Sequence, residues 1–186
     1  MSASGPYTRP PQHSHRSGEA PIAALDVDIE KLLAEGLDLL REYLRLDTTN
    51  PPGDVSIAAD FVEQTLQGAG LSTVRVGASP DKANVATTVG DSAGLPPPLV
   101  LAHHMDVVPA VAADWTVDPF GAEVRDGYLY GRGVLDMKGF GVLSMLCAFA
   151  LQRTAAPLKR PLRIIATADE EIGGVLGAKW LVNRGS

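Results

Sequence analysis

His104 and Asp106 stand two residues apart at the end of the apolar run 99–102. On an extended backbone that spacing sends both side chains to one face. A histidine so placed offers one ring nitrogen to a metal, while a neighbouring carboxylate takes the proton on the other. Such a bond fixes the tautomer and makes the imidazole a better ligand. Downstream, Asp136 follows Gly131-Arg132-Gly133, a loop whose small side chains let the backbone approach an ion or a ligand. Glu170 and Glu171 follow the apolar run 162–168 directly. Adjacent acids at a strand-to-loop junction can divide the work, one gripping a metal and the other handling a proton. Carboxylates with a single imidazole suit zinc, manganese or cobalt better than a thiolate site does. If Asp136 bridged two ions, they would share and acidify one water, which is the chemistry of metal-assisted hydrolysis.

Taken singly, each motif has a plainer reading. A His-x-Asp pair is more often a satisfied core histidine than a ligand. Asp169-Glu170-Glu171 alone reads as a solvated turn, or as an acidic helix start favoured by the macrodipole. Gly131-Arg132-Gly133 alone fits a tight turn or a phosphate cradle, although no Gly-Lys-Ser/Thr follows it. Their joint occurrence, each at the edge of an expected strand, favours the metal site.

Composition limits what else the chain can be. The 186 residues fit one domain with a sizeable core, and 45% apolar with 20% charged residues is ordinary for a globular chain. A net charge of −6, with 16 scattered basic residues, argues against a nucleic-acid partner, which needs clustered Lys and Arg. No apolar run reaches the ~18 residues of a membrane span, so no membrane partner is expected. One cysteine excludes an internal disulfide and suits a reducing, cytoplasmic setting. Cys147 lies in an apolar helical pattern and is expected to be a packed core thiol. The Ser-, Pro- and Gly-rich residues 1–24 read as a disordered tail, including the His13-x-His15 pair. Residues 25–186 then form the folded part. No Gly-x-Ser-x-Gly elbow occurs, which argues against a serine hydrolase.

The positioning elements follow from periodicity. A helix capped by Asp26 or Asp28 runs to about residue 46, its apolar positions Ile29, Leu32, Leu33, Leu37, Leu40 and Leu44 following helical spacing. Asn50-Pro51-Pro52-Gly53 breaks the chain before a second amphipathic helix that stops at Gly68 or Gly70. Strands are expected at 71–76, 84–89, 99–104 and 162–168, with a hairpin turning at Asp126-Gly127. Helices are expected at about 140–152 and 174–183. The alternation points to an α/β sandwich with a mixed, largely parallel sheet flanked by helices.

In family order, the chain carries His104-Met105-Asp106-Val107-Val108-Pro109, then Trp115 with Asp118-Pro119-Phe120, then Gly131-Arg132-Gly133 with Asp136-Met137-Lys138-Gly139, and finally Asp169-Glu170-Glu171. This set resembles the M20 metallopeptidases, a group of aminoacylases, acetylornithine deacetylases, succinyl-diaminopimelate desuccinylases, carboxypeptidases and dipeptidases. The segment 46–53 resembles the stretch after that family's first helix, and the likeness covers about 29–182. The resemblance implies a zinc-exopeptidase-like catalytic domain that cleaves an amide bond in a small peptide or N-acyl amino acid. Two Zn²⁺ ions would serve a complete enzyme, with Co²⁺ or Mn²⁺ as substitutes. His104 would ligate one ion, Glu171 the other, and Asp136 both, with a cis peptide to Met137. Glu170 would be the general base, and Asp106 would orient His104.

Family members are longer. They supply a further acidic ligand beyond the Glu-Glu pair, a further His near the C-terminus, and a lid domain through which they dimerise. The chain is therefore expected to be an N-terminal fragment, inactive or nearly so by itself, of a protein that could be a homodimer. Two other classes are set against this reading: a binding module that keeps the fold without catalysis, and a dinuclear metal phosphoesterase.

Overall fold

The computed structural model describes residues 26–90, 94–155 and 157–184. The tail assigned to 1–24, with His13 and His15, lies outside them. Helix α1 (Ile29–Leu44) starts where Asp28 accepts the Lys31 amide at 3.0 Å, so a side-chain oxygen satisfies one of the free N–H groups of the first turn. It stops two residues short of the expected end. A side chain from elsewhere binds this end: Lys138 Nζ donates to Tyr43 O in the last turn at 3.2 Å and to Leu46 O just beyond it at 2.7 Å. Helix α2 (Ser56–Gly68) ends before Gly70, whose φ of +81° suits a residue without Cβ.

Strands β1 (Thr73–Gly77), β2 (Ala83–Val89), β3 (Leu99–His104) and β6 (Leu162–Thr167) form one sheet in the order β1-β2-β6-β3. The sheet is mixed, as expected, but it is mainly antiparallel rather than largely parallel. Its parallel pairing lies between β3 and β6, while β1–β2 and β2–β6 are antiparallel. Only five residues link β1 to β2, too few for the crossover that a parallel pair requires. The parallel register sets His104 beside Thr167, so the expected His and Glu-Glu sites leave the sheet at the same end. A separate hairpin, β4 (Glu123–Arg125) and β5 (Tyr128–Tyr130), turns at Asp126 and Gly127 with φ of +54° and +80°. Two positive φ values in a two-residue loop match the twist of the strands they join.

Helix α3 (Gly139–Thr154) packs across β2, β6 and β3, α2 across β1 and β2, and α1 lies on α3. The core they enclose includes Tyr43, Val62, Leu66, Val85, Met145, Phe149 and Ile164. By length and composition, the stretch Val134–Thr154 is apolar enough to cross a membrane, but half of it is buried inside the fold. Its apolar character is that of a core helix between sheet and α1. On the other side of the sheet, Val74 and Val76 are exposed, and Leu181 of α4 (Ala178–Arg184) reaches the same depression.

Two further expectations change. Cys147 is exposed rather than packed in the core. It shares the outward face of α3 with Phe140 and Leu143, and an apolar pattern that runs all round a helix does not disclose which face meets the core. The last helix begins at Ala178 rather than 174, because Gly173 and Gly174 take φ of +106° and +68° and keep the preceding segment in turns.

Candidate metal centre

At the C-terminal end of β3 the chain leaves the sheet while its backbone stays pinned. Met105 N donates to Thr167 O at 2.8 Å, and Thr48 Oγ1 donates to Met105 O at 2.7 Å. Val107 pairs with the 48–50 segment through Val107 N–Thr48 O at 3.1 Å and Asn50 N–Val107 O at 2.8 Å. His104 therefore sits on a short braced stretch rather than on a free loop. It is buried, with 4% of its side chain exposed.

The two ring nitrogens of His104 have different neighbours. Nδ1 lies 2.8 Å from the backbone carbonyl of Asp106, which places a proton on Nδ1 and leaves Nε2 as the free donor atom. Nε2 lies 3.0 Å from Asp136 Oδ1 and 3.7 Å from Glu170 Oε2. A lone pair facing carboxylate oxygens is unfavourable unless a proton or a cation stands between them. Burial disfavours the charged ring. The Asp106 carbonyl and the Asp136, Asp106 and Glu170 carboxylates outweigh that effect, and the His104 pKa is raised.

Asp136 arrives from the Val134–Lys138 turn, where Gly133 at φ +88° comes close to Val107. The Asp136–Met137 peptide is cis. Glu170 and Glu171 open the short turn Glu170–Ile172 after β6. Glu171 Oε1 accepts the Val108 amide at 3.2 Å. Its pKa is raised, first by burial and then by the carboxylates of Asp136 and Asp106, against the pull of His104. Glu170 keeps 58% of its side chain exposed. The ligand atoms of His104, Asp136 and Glu171 lie within 4.8 Å of one another. One neutral imidazole nitrogen and several hard oxygens, with negative charge in excess, fit a divalent ion of the zinc, cobalt or manganese type. A shallow cavity of about 290 Å³ opens beside them, lined in part by His104, Asp136, Met137 and Glu170.

The Asp106 carboxylate is placed differently from the simple picture of a carboxylate behind the histidine. It is fully buried and lies 3.7 Å from His104 Nδ1, a nitrogen already committed to the Asp106 main-chain oxygen. Its two oxygens accept the amides of Glu170 and Glu171, each at 3.1 Å, and Asn50 Nδ2 donates to Oδ2 at 2.8 Å. His103 points into the core, where its Nε2 meets Tyr43 OH at 3.4 Å. Sequence reasoning missed Asn50, whose segment reads as a helix breaker and as family-like but assigns that residue no role, and Lys82, a cation that carries no motif. Neither has a local pattern that would have singled it out.

Residues 100–186 match the family model described as peptidase family M20/M25/M40. The chain is 34% identical over 148 residues to aminoacylase-1 of Sus scrofa, a match covering 78% of this chain and 36% of that protein. It is 38% identical over 150 residues to acetylornithine deacetylase of Myxococcus xanthus, covering 78% and 37%. The solved structure of human carnosine dipeptidase 1 superposes with a TM-score of 0.70 at 25% identity, over 84% of this chain and 36% of that one. The chain thus spans little more than a third of the length of these relatives. The motif order, the mixed sheet and these matches converge on one likeness: the chain is similar to peptidase family M20/M25/M40, whose model its residues 100–186 match.

Proposed function

We propose that this chain carries part of the catalytic centre of a metal-dependent amidohydrolase acting on a small peptide or an N-acyl amino acid. The observation that supports it most is the approach of His104, Asp136 and Glu171 to a common point, with a histidine nitrogen facing carboxylate oxygens. His104 and Glu171 would each hold one divalent ion, most simply Zn²⁺, and Asp136 would touch both. Such ions supply charge stabilisation for a developing oxyanion and acidify water. The exposed Glu170 carboxylate takes the proton of the attacking water and returns it to the leaving amine. Asp106 acts by holding the backbone from which Glu170 and Glu171 project. A cytoplasmic setting fits the single cysteine.

Among the described residues each ion would have one terminal ligand besides Asp136, and the 186-residue chain alone is proposed to be inactive or nearly so. In the full-length gene product, metal-loaded enzyme should hydrolyse members of a panel of N-acyl amino acids and dipeptides. Glu170→Gln should lose that hydrolysis, by the ~10²–10⁴-fold that a positioned acid–base group supplies. Hydrolysis unchanged in Glu170→Gln would refute the assignment. No hydrolysis in either protein would favour a binding module.

A further inference from the structure

The turn that carries Glu170 and Glu171 is held mainly by side chains. Asn84 Oδ1 accepts the Ala168 amide at 3.0 Å, and Asp106 accepts those of Glu170 and Glu171. Asp169, at φ +66°, folds back so that its Oδ2 accepts the Leu176 amide at 3.1 Å. The two carboxylates are 0% and 2% exposed, and a buried carboxylate needs donors or a cation to be tolerated.

Both requirements are met from one place in the N-terminal half. Asn50 Nδ2 donates to Asp106 Oδ2 at 2.8 Å. Lys82 Nζ stands 3.7 Å from Asp169 Oδ1 and is fixed by the carbonyls of Pro52 and Gly53 at 2.7 and 2.6 Å. Gly53 joins the two halves. Its φ is +71°, and a Cβ there would lie 2.4 Å from Asn50 Oδ1 and 2.6 Å from Lys82 Nζ, so only glycine leaves room for both side chains. Asn50 and Lys82 are themselves 2% and 6% exposed. Asn50 lies 56 residues from Asp106 in sequence, so the brace exists only in the folded chain.

We propose that Asn50 and Lys82 are positioning residues for Glu170 and Glu171: Asn50 acts through Asp106 and Lys82 through Asp169, fixing the turn from both sides. The proposal rests on the reading of Glu171 as a metal ligand and Glu170 as a base. Neither Asn50 nor Lys82 belongs to the candidate ligand group of His104, Asp136 and Glu171. Their effect is to set the spacing of Glu171 from His104 and Asp136, and a small displacement there weakens a metal site. Loss of an outer partner of this kind typically costs ~10–100-fold in metal affinity.

The test uses the 186-residue chain, ¹⁵N-labelled, with amide exchange followed by NMR and Co²⁺ titrated by its visible absorption. In Asn50→Leu the Glu170 and Glu171 amides should exchange at least tenfold faster, and in Lys82→Met the Leu176 amide should do so, while α3 amides keep their wild-type rates. Co²⁺ affinity should fall about tenfold or more in both. Lys82→Arg, which keeps the charge, should restore both readouts. If Lys82→Met fails to fold, Lys82→Met/Asp169→Asn removes both charges and is scored at the same amides. Wild-type exchange at these amides in folded variants would overturn the proposal, and so would an equal acceleration throughout α3. Failure of the wild-type chain to bind Co²⁺ would bear only on the metal site, whose ligand set this chain holds in part, and the exchange rates still decide the brace.

Discussion

Nε2 of His104 lies 3.0 Å from Oδ1 of Asp136, and the other ring nitrogen is already bonded to a main-chain carbonyl. The contact is favourable only with a proton or a metal ion between the two atoms. The two occupants compete, which links metal binding to pH.

Zinc or cobalt binding should therefore release a proton. Because the His104 pKa is raised, affinity should climb as the pH rises through and above the ordinary histidine range, where the proton no longer competes. Calorimetry in buffers of different ionisation enthalpy measures that release. Asp136→Asn and Glu171→Gln should each weaken binding, while Glu170→Gln should change it little.

His103 offers a pH signature of the fold itself. Burial, with a smaller contribution from His104, lowers its pKa to about 3. The unfolded chain binds this proton below the ordinary value of 6.5 and the folded chain does not, so stability should decline as the pH falls from 6.5 toward 3. Imidazole NMR should show a neutral ring at position 103 throughout that window. Titration near 6.5 in the folded state would contradict the burial.

On the surface, Arg153 donates to both oxygens of Glu35, at 2.8 and 2.6 Å, tying α3 to α1. The guanidinium holds the Glu35 pKa below its ordinary 4.5. Its stabilisation should be present above that value and vanish as the pH falls through the lowered one. Exposed pairs of this kind are worth ~0.2–1 kcal/mol, so Glu35→Gln should cost about that much at pH 7 in chemical denaturation. The cost should shrink at pH 3 and in 1 M salt.

Gly177 is a packing constraint beside the site. A Cβ there would lie 1.8 Å from the backbone oxygen of Ala168, which cannot swing aside as a side chain would. Gly177→Ala should destabilise the chain by ~1–3 kcal/mol, the usual cost of overpacking, with a matching drop in melting temperature. A neutral substitution would mean that the segment before α4 shifts freely.

Much of the architecture is legible in local pattern. The cap at Asp28, the Asp126-Gly127 turn and the strand Leu99–His104 each follow from neighbouring residue types, because capping, turn sign and pleat are short-range effects. The chemistry-bearing residue types are legible too, since His-x-Asp and Glu-Glu announce themselves by spacing. Their convergence is not local. It depends on β3 and β6 lying parallel, with residue pairs more than sixty positions apart in register.

Tertiary structure alone decided the rest. A sequence names Asp106 but not the direction of its carboxylate. The structure turns it toward the amides of Glu170 and Glu171, 64 and 65 residues away, and leaves the histidine to a main-chain oxygen. Asn50 and Lys82 look like a turn residue and a surface cation until the fold buries them against two carboxylates. Cys147 belongs to a helix apolar on every side, so only the position of the sheet determines that it faces outward. Local preference is set by a residue and its neighbours within a turn or a strand. Burial and hydrogen-bond partners are set by whichever distant segment occupies the adjoining space.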